Sequence, residues 1–470
     1  MKTKKLVLMI SVLFASLITM TGCPGPLSFS GVRNPNVMVD GAGNSIVSYQ
    51  VNEGETQITY IQKLGTNGEF QWVGKGITLY SEQVTSEGGG ASALLVNSDN
   101  NSAILVWAQT DSIWTQKIDS EGHFLWGAGN VRVTSGTYIL KAISDGLSGV
   151  VMAWSDDHDN LYLQRIDSQG NLLWSVNKPL IQTRPFDISC DGSGNTFLVW
   201  EDRDFNVLVQ KLGSTGKLSW PSDALLLSDL HGPGVGMSRV MSDGAGGAIV
   251  VWIHGIRSEN KVGITGHELY AQRIDSNGSI LWQAGGVPVC TAAEGDRTVI
   301  AIEPRLVADE SSGTIILWRE MMSVYAQKVD ANGNTLWAKN GIQIWNEEGA
   351  QGNTSSSVVS DDSGGAIVVW CYTPAGSATD RNIVLRAQRV SSDGQKLWGN
   401  NGILLSMTSP GYSFLPLISQ DGHGGVIAAW AAGKNIHNAG LSYVQRVSAK
   451  GKLLWGNNGI SPHFPYQTEI

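Results

Sequence analysis

The sequence predicts an all-β protein that folds as a single eight-bladed β-propeller of four-stranded antiparallel blades. Short apolar runs alternate along the chain with turns rich in Gly, Asn, Asp and Ser, a pattern typical of β-strands. One phrase recurs eight times, and its closing tryptophan advances 383 residues in seven steps, about 55 residues per unit. A unit of that length matches one propeller blade rather than one coil of a β-helix.

Every unit contains the same elements at fixed spacing. A Gln that precedes Lys or Arg is followed six residues later by Gly, and Trp comes four residues after that Gly. The closing tryptophans are Trp72, Trp126, Trp174, Trp220, Trp282, Trp337, Trp398 and Trp455. The units span about 37–80, 91–134, 141–183, 187–228, 238–291, 304–346, 357–407 and 415–464, so residues 37–470 are predicted to form the propeller.

The fifth unit shows how a blade is expected to fold. Its glycine-rich turn at Asp243 suits a tight hairpin, while Asp275 is expected to bond the backbone of a second turn in which Gly278 is left-handed. Because one blade cannot bury both faces of its sheet, the blades must cover one another. We therefore expect each closing tryptophan to fill the gap between two blades and to donate its indole N–H to a carbonyl oxygen.

The N-terminus has the pattern of a secretory signal. Three lysines precede an apolar run over residues 6–19 that is too short to span a membrane as an ordinary helix. The run ends in Met-Thr-Gly-Cys at residues 20–23, which resembles the lipobox of bacterial lipoproteins. That resemblance implies a signal peptide over residues 1–22, a lipid on Cys23 and a tether over residues 23–36. It implies a lipid-anchored protein of the bacterial cell envelope, at the outer membrane or the cell surface. An ordinary secretory signal is the alternative.

The repeat also carries a resemblance. The segments AQRIDSNGSILW and VQRVSAKGKLLW are similar to the tryptophan-docking repeats of quinoprotein-type β-propellers. The similarity covers residues 37–460 with one short motif per blade, and the Thr that precedes Gly in that family is present at Thr215 but missing from most units. A lipid-anchored eight-bladed propeller also resembles the propeller lipoprotein of the outer-membrane β-barrel assembly machinery. That resemblance implies a protein that faces the periplasm.

Composition limits the partners. Removal of residues 1–22 leaves 29 basic and 41 acidic residues, a net charge of −12, which argues against binding of nucleic acid. The propeller retains Cys190, Cys290 and Cys371 without paired spacing. We therefore predict three small buried residues rather than a disulfide framework or a metal site.

Two acidic features are candidates for a cation. Asp-Gly turns recur in six units, but hairpin chemistry explains them without an ion, and calcium requires six to eight converging oxygens. Asp156, Asp157 and Asp159 form a tighter group, with acids in the same loop of the next blade. Solvated hairpin tips are the simpler interpretation, so no cofactor is predicted, and calcium at this group is kept as the alternative.

Three insertions interrupt the regular spacing. They cover about residues 253–268, 371–384 and 431–442, all between strands two and three, so all project from one face. Loops on a rigid scaffold commonly carry binding residues, although loops also vary without function. The candidate binding residues on these insertions are His254, Arg257, His267, Tyr372, Arg381, Asn435 and His437.

These observations predict a monomeric, lipid-anchored propeller that binds a protein or a glycan without catalysis. No nucleophile elbow, P-loop or dinucleotide fingerprint is present. A quinone-dependent or glycan-acting enzyme, a periplasmic assembly factor for the outer membrane, and a structural envelope protein are the alternatives, since the propeller fold hosts all of these. Residues 26–30 are further predicted to add a strand to the last blade.

Overall fold

The computed structural model describes residues 35–53, 56–83, 93–99, 102–109, 112–127, 129–135, 139–156, 158, 160–175, 186–220, 224–228, 237–257, 264–291, 301–321, 323–346, 350–375, 383–408, 412–413, 416–433 and 441–462. These residues form eight four-stranded antiparallel sheets, which confirms the predicted eight-bladed β-propeller. Across the described ranges the structure contains no helix, and so none that is long and apolar enough to cross a membrane.

The first four blades each use four consecutive strands. Blade one contains β1 (Asn36–Val39), β2 (Ser45–Glu53), β3 (Thr56–Leu64) and β4 (Ile77–Gln83). Blade two contains β5 (Leu94–Asp99), β6 (Ser102–Gln109), β7 (Ser112–Asp119) and β8 (Val131–Ser135). Blade three contains β9 (Ile139–Ser144), β10 (Val150–Ser155), β11 (Leu161–Ile166) and β12 (Leu172–Ser175). Blade four contains β13 (Phe186–Cys190), β14 (Thr196–Glu201), β15 (Val207–Leu212) and β16 (Leu225–Ser228).

The remaining blades follow the same plan, except that the inner edge of blade eight is divided between two short strands. Blade five contains β17 (Arg239–Ser242), β18 (Ala248–Arg257), β19 (Ile264–Ile274) and β20 (Val287–Cys290). Blade six contains β21 (Ala301–Ala308), β22 (Thr314–Glu320), β23 (Ser323–Val329) and β24 (Ile342–Trp345). Blade seven contains β25 (Gln351–Ser360), β26 (Ala366–Thr373), β27 (Ile383–Val390) and β28 (Ile403–Thr408). Blade eight contains β29 (Tyr412–Ser413), β30 (Leu417–Gln420), β31 (Val426–Gly433) and β32 (Leu441–Val447).

The sheets close into a ring around one axis. The inner strands β1, β5, β9, β13, β17, β21, β25 and β30 contact one another in that order, and β30 returns to β1. In blade eight, β29 pairs with the end of β31, while Val444 and Ile460 exchange two backbone hydrogen bonds at the outer edge. Within the described residues the ring closes by packing of blade eight on blade one. The predicted extra strand at residues 26–30 lies outside these residues.

Closing tryptophans join each blade to the next. Seven of their indole N–H groups donate to a carbonyl oxygen in the turn that follows strand three of the next blade, at 2.9–3.2 Å. The left-handed Gly of that turn lies against the same indole ring, because a Cβ at Gly216 would come within 2.8 Å of Trp174. The predicted role of the closing tryptophans is therefore confirmed at these seven joints.

A ring of buried ion pairs lies beside these tryptophans. In every blade, the Lys or Arg that follows the repeated Gln pairs with the Asp of the turn after strand one, at 2.9–3.6 Å. Each cation also donates to a backbone carbonyl of the next blade, as Arg273 does to Ala331 at 3.1 Å. Seven of these aspartates, all but Asp99 of blade two, also accept hydrogen bonds from the backbone of their own turn, so they fix their hairpins and bind the blades together through these cations.

The three propeller cysteines are free thiols. Cys290 and Cys371 are buried, as predicted. The prediction was wrong for Cys190, which is partly exposed because it ends the inner strand β13, where its Sγ lies 3.7 Å from Oγ1 of Thr196.

Candidate functional site

The two ends of the blades carry different residues. Turns between strands one and two, and between strands three and four, lie at one end, here the lower face. Turns between strands two and three lie at the other end, the upper face. The repeated Asp, Lys or Arg, and Trp join the blades near the lower face. The insertions belong to the upper face.

The insertion of blade five is a strand extension. β18 and β19 stay paired from Ala248 and Ile274 out to Arg257 and Ile264. The prediction of a loop over residues 253–268 was therefore wrong for most of these residues, because β18 and β19 remain hydrogen-bonded to each other through most of the insertion. The blade has a longer hairpin that projects from the upper face.

The predicted binding residues fall into three groups. His254 is half-buried on the extended β18, and Arg257 ends that strand. His267 and Tyr372 are buried within the sheets, with 3% and 5% of their surface exposed. Arg381, Asn435 and His437 lie outside the described residues, as does the predicted lipidation site Cys23.

His267 occupies an apolar environment. It lies on the same side of β19 as the buried Leu269 and Ala271, and neither ring nitrogen has a hydrogen-bond partner. Burial lowers the pKa of His267 to about 4, so its imidazole is neutral at pH 7. This side chain is enclosed by the protein and has no direct access to a ligand on the upper face.

A half-buried polar cluster occupies the opposite side of the same hairpin. His254 and Glu268 are directly opposed across β18 and β19, and the Tyr270 hydroxyl donates to Oε2 of Glu268 at 2.9 Å. The His254 ring meets the Tyr270 ring edge-on at 6.2 Å. Burial and the hydrogen bond to Glu268 raise the pKa of Tyr270 to about 12, so its phenol remains a neutral donor.

Two exposed apolar side chains flank this hairpin on the upper face. Phe205, in the turn between β14 and β15, is 43% exposed, and Met321, in the turn between β22 and β23, is 63% exposed. Both have left-handed backbones, with φ of 65° and 54°. Such a backbone is strained for a side-chain-bearing residue and is concentrated at functional sites.

The strain at Phe205 is visible against the repeat. Its N–H bonds the carbonyl of Asp202, as the N–H of Gly170 bonds the carbonyl of Asp167 in a lower-face turn of the same type. Phe205 thus stands where that turn has glycine, which adopts positive φ without a steric penalty. The turn therefore holds an exposed aromatic side chain at a position where glycine would be unstrained.

The inner strands carry charge on one half of the ring. Equivalent positions are those that pair with the residue before the aromatic that recurs near the end of strand two, which is Tyr49, Trp107, Trp154, Trp200, Trp252, Trp318, Trp370 or Trp430. In blades three to six these residues are Lys141, Asp187, Arg239 and Arg305. In blades seven, eight, one and two they are Ser357, Leu417, Asn36 and Leu94. We call the charged four the axial arc.

Charges in the axial arc act on one another. Lys141 Nζ pairs with Oδ1 of Asp187 at 2.6 Å, and the backbone N–H of Val240 donates to Oδ2 of that aspartate at 3.2 Å. Burial lowers the pKa of Lys141, and the charges of Arg239 and Arg305 lower it further, while Asp187 opposes both effects. The four positions lie on successive inner strands, β9, β13, β17 and β21, which contact one another around the axis.

A backbone irregularity adjoins the arc. β21 bulges between Ile302 and Arg305, where two of its residues oppose one residue of β22. Within this bulge Glu303 has a left-handed backbone, with φ of 54°, and accepts two hydrogen bonds from Arg319, at 2.6 and 3.1 Å. Bulges re-aim neighbouring side chains and are frequent beside functional sites.

Glu201 adds a buried acid at the upper end of β14. It is 4% exposed, and one of its oxygens accepts the backbone N–H of Ser238 at 3.1 Å. Burial raises the pKa of Glu201 to about 7, although this hydrogen bond lowers it. Its charge therefore changes near neutral pH.

The acidic groups have local structural partners. Asp156 accepts hydrogen bonds from the backbones of His158 and Asn160 and from the Asn160 and Tyr162 side chains, at 2.8–2.9 Å. Asp157 and Asp159 lie outside the described residues, so the predicted calcium group is described only at Asp156. A separate exposed group, Asp119, Glu121 and His123, brings three ligand atoms within 4.8 Å, but it belongs to an ordinary lower-face turn.

Sequence reasoning missed the axial arc and Phe205. The arc residues differ in type, so only the strand register relates them. Phe205 carried a readable signal, because Asp202–Asn206 aligns with Asp167–Asn171 and places Phe at the glycine position.

No family model matches the chain, and no curated protein is detectably similar to it in sequence. Among solved structures, the chain is similar to the BP39L lectin of Burkholderia pseudomallei, at 13% identity and a TM-score of 0.49, over 77% of this chain and 95% of the lectin. A protein of Lactobacillus plantarum matches at 14% identity and a TM-score of 0.41, over 77% of this chain and 94% of that one. A prolyl endopeptidase matches at 12% identity and a TM-score of 0.43, over 89% of this chain and 58% of the enzyme. The eight-bladed architecture is established by the chain's own strand pairing.

Proposed function

We propose that this chain is a lipid-anchored, monomeric β-propeller of the bacterial cell envelope that binds a protein or a glycan through the upper face of blades four to six. The proposed surface comprises Phe205, Met321 and the extended hairpin of blade five. The observation that carries the proposal is the exposure of Phe205 in a left-handed turn position that favours glycine.

The energetics of the turn support this surface. A non-glycine residue held with positive φ costs roughly 1–2 kcal/mol, and exposure of an aromatic ring adds no packing energy in return. Aromatic side chains are frequent binding anchors because they bury a large area with few rotatable bonds. A partner that covers Phe205 would gain binding free energy, because it would bury apolar surface that is exposed to water in the free protein.

The residues of the repeat support a scaffolding role for the rest of the ring. The eight Asp–cation pairs and seven indole hydrogen bonds bind neighbouring blades, so they serve the fold in every blade alike. Features that differ between blades are the remaining candidates for recognition, and among the described upper-face turns the exposed apolar side chains Phe205 and Met321 lie on either side of blade five. We therefore propose a non-catalytic binding protein with a rigid, polar-rimmed surface.

Site-specific photo-cross-linking in intact cells tests this proposal. A benzophenone amino acid at Phe205 in the full-length protein is expected to give a discrete cross-linked product. The matched control is the same amino acid at Leu281, which is 48% exposed beside the lower-face turn of blade five. Equal products from both positions, or none from Phe205, would contradict a binding surface on the upper face.

The membrane anchor is tested separately. Cys23→Ser in the full-length protein is expected to move it from the membrane fraction to the soluble fraction, because no acyl chain can then be attached. Retention of the variant in membranes through carbonate washing would contradict lipid anchoring. Protease treatment of intact cells, with lysed cells as the control, then distinguishes the cell surface from the periplasm.

A further inference from the structure

The axial arc has a net positive charge. Lys141, Arg239 and Arg305 supply three cations at equivalent positions, and Asp187 is the one carboxylate among the four. The carboxylate is already engaged, since Lys141 and the backbone of Val240 take one oxygen each. Like charges held together near the axis are unfavourable unless an anion lies between them.

The two arginines retain donors for such an anion. Arg239 gives one Nη1 hydrogen to the carbonyl of Ser238 at 2.9 Å, whereas a guanidinium has five N–H donors. The Nε of Arg305 is buried and has no hydrogen-bond partner among the described residues. A buried, unpartnered donor on a charged group costs free energy, so its retention calls for a ligand.

Two further acids lie near the arc. Glu201 accepts the backbone N–H of Ser238 at 3.1 Å and also interacts with the charge of Arg239. Glu303 is bound by Arg319 through two hydrogen bonds, so this pair is self-neutralising. The bulge that contains Glu303 directly precedes Arg305 and sets where that side chain leaves the strand. All four arc side chains are only partly buried, so they remain accessible from solvent.

We propose that Lys141, Arg239 and Arg305 form a binding site for an oxyanion, a carboxylate or a phosphate, carried by the ligand that enters the propeller axis from the upper face. The two guanidinium groups supply planar paired donors, and Lys141 supplies a point charge. This inference deepens the proposed function by naming the chemical group recognised, and it rests on a binding role for the same face.

Titration of the purified full-length protein in detergent tests the site. Thermal unfolding is followed with sodium glucuronate, inorganic phosphate or sodium chloride at equal ionic strength. A ligand that binds the folded state stabilises it, so binding raises the Tm. A saturable rise with glucuronate would show that the site binds a carboxylate, and a saturable rise with phosphate would show that it binds a phosphate. If neither glucuronate nor phosphate raises the Tm saturably above its value in chloride, the proposal is overturned, whatever the outcome of cross-linking at Phe205.

Two variants locate the effect. Arg305→Gln is expected to weaken anion binding by about tenfold or more, since a charge-assisted pair of hydrogen bonds is lost. Arg132→Gln is the matched control, because Arg132 is exposed on the outer strand of blade two and bonds only Ser112 among the described residues. Equal weakening in both variants would contradict the assignment to the arc.

The Tm measured without added anion distinguishes a binding role of Arg305 from a role in the fold. Arg305→Gln is expected to keep or raise the anion-free Tm, because it removes a cation from a group of like charges. A clear fall in the anion-free Tm would show that Arg305 supports the fold, and that result would overturn the proposal.

Discussion

The indole N–H of Trp455 donates a hydrogen bond to the carbonyl oxygen of Thr66 at 3.2 Å, and this contact joins the last blade to the first. The Arg446 guanidinium donates to the same carbonyl at 3.3 Å. The same arrangement occurs at the internal joint where Trp282 and Arg273 both reach Ala331. The ring is therefore closed by the contact that joins its other blades.

Truncation at this closure should be costly. We expect Trp455→Ala to lower the free energy of unfolding by about 3–5 kcal/mol, the range for removal of a buried aromatic side chain. Trp455→Phe should cost less, because it retains much of the apolar volume and loses the N–H. Denaturant unfolding measures both, and Trp282→Ala is the internal control. An unchanged midpoint for Trp455→Ala would show that the ring closes elsewhere.

The buried Asp–cation pairs should matter more than similar exposed turns. Asp243→Asn keeps the acceptor for the turn backbone but leaves the Arg273 cation without its charge partner, so we expect a loss of about 3–5 kcal/mol. Asp275→Asn affects an exposed turn with the same backbone hydrogen bonds and should cost about 0.5 kcal/mol or less. Chemical denaturation compares the two variants, and equal losses would contradict a structural role for the ion pairs.

Glycines at the blade joints should be less replaceable than glycines elsewhere. Gly216 and Gly192 have nearly equal positive φ, 77° and 78°, so alanine imposes similar backbone strain of about 1–2 kcal/mol at each. A methyl group at Gly216 would also press on Trp174 at 2.8 Å, whereas one at Gly192 meets open space. Gly216→Ala should therefore lower the Tm further than Gly192→Ala. A smaller or equal loss at Gly216 would argue against close packing at the joint.

The buried acid Glu201 should make stability depend on pH. Its folded pKa of about 7 lies above its ordinary value of 4.5, so between these values the folded state holds more protons than the unfolded state. Stability should fall as pH rises through this window, by roughly 3 kcal/mol in all. Glu201→Gln should remove this part of the pH dependence, as measured by unfolding at pH 5 and pH 8. Parallel pH profiles for the two proteins would show that Glu201 is ionised normally.

The sequence predicted the blades because their signal is local and periodic. Gln, Gly and Trp recur at fixed spacing, since each contributes to a joint that is repeated around the ring. Asp309, which the Asp-Gly pattern missed, takes the same role without a following Gly. Hydrogen bonding to the turn, rather than the dipeptide, is what the fold requires.

The candidate site was not predictable in the same way. The axial arc depends on strand register across four blades, and no periodic residue type marks it. The insertions lie at the upper ends of their blades, as predicted, but two residues chosen from them, His267 and Tyr372, are buried because the strands extend into the insertions. A residue that departs from the repeat, such as Phe205 at a glycine position, was the more informative signal.

The most direct test of the upper face as a binding surface is the comparison of Phe205→Gly with the natural protein. Glycine relieves the left-handed turn, so the Tm should stay the same or rise by a few degrees. The product cross-linked from a benzophenone amino acid at Met321 should be lost in this variant, while Leu281→Ser should leave it intact. Retention of that product in Phe205→Gly, or a fall in its Tm, would show that Phe205 serves the fold and that the ligand binds elsewhere.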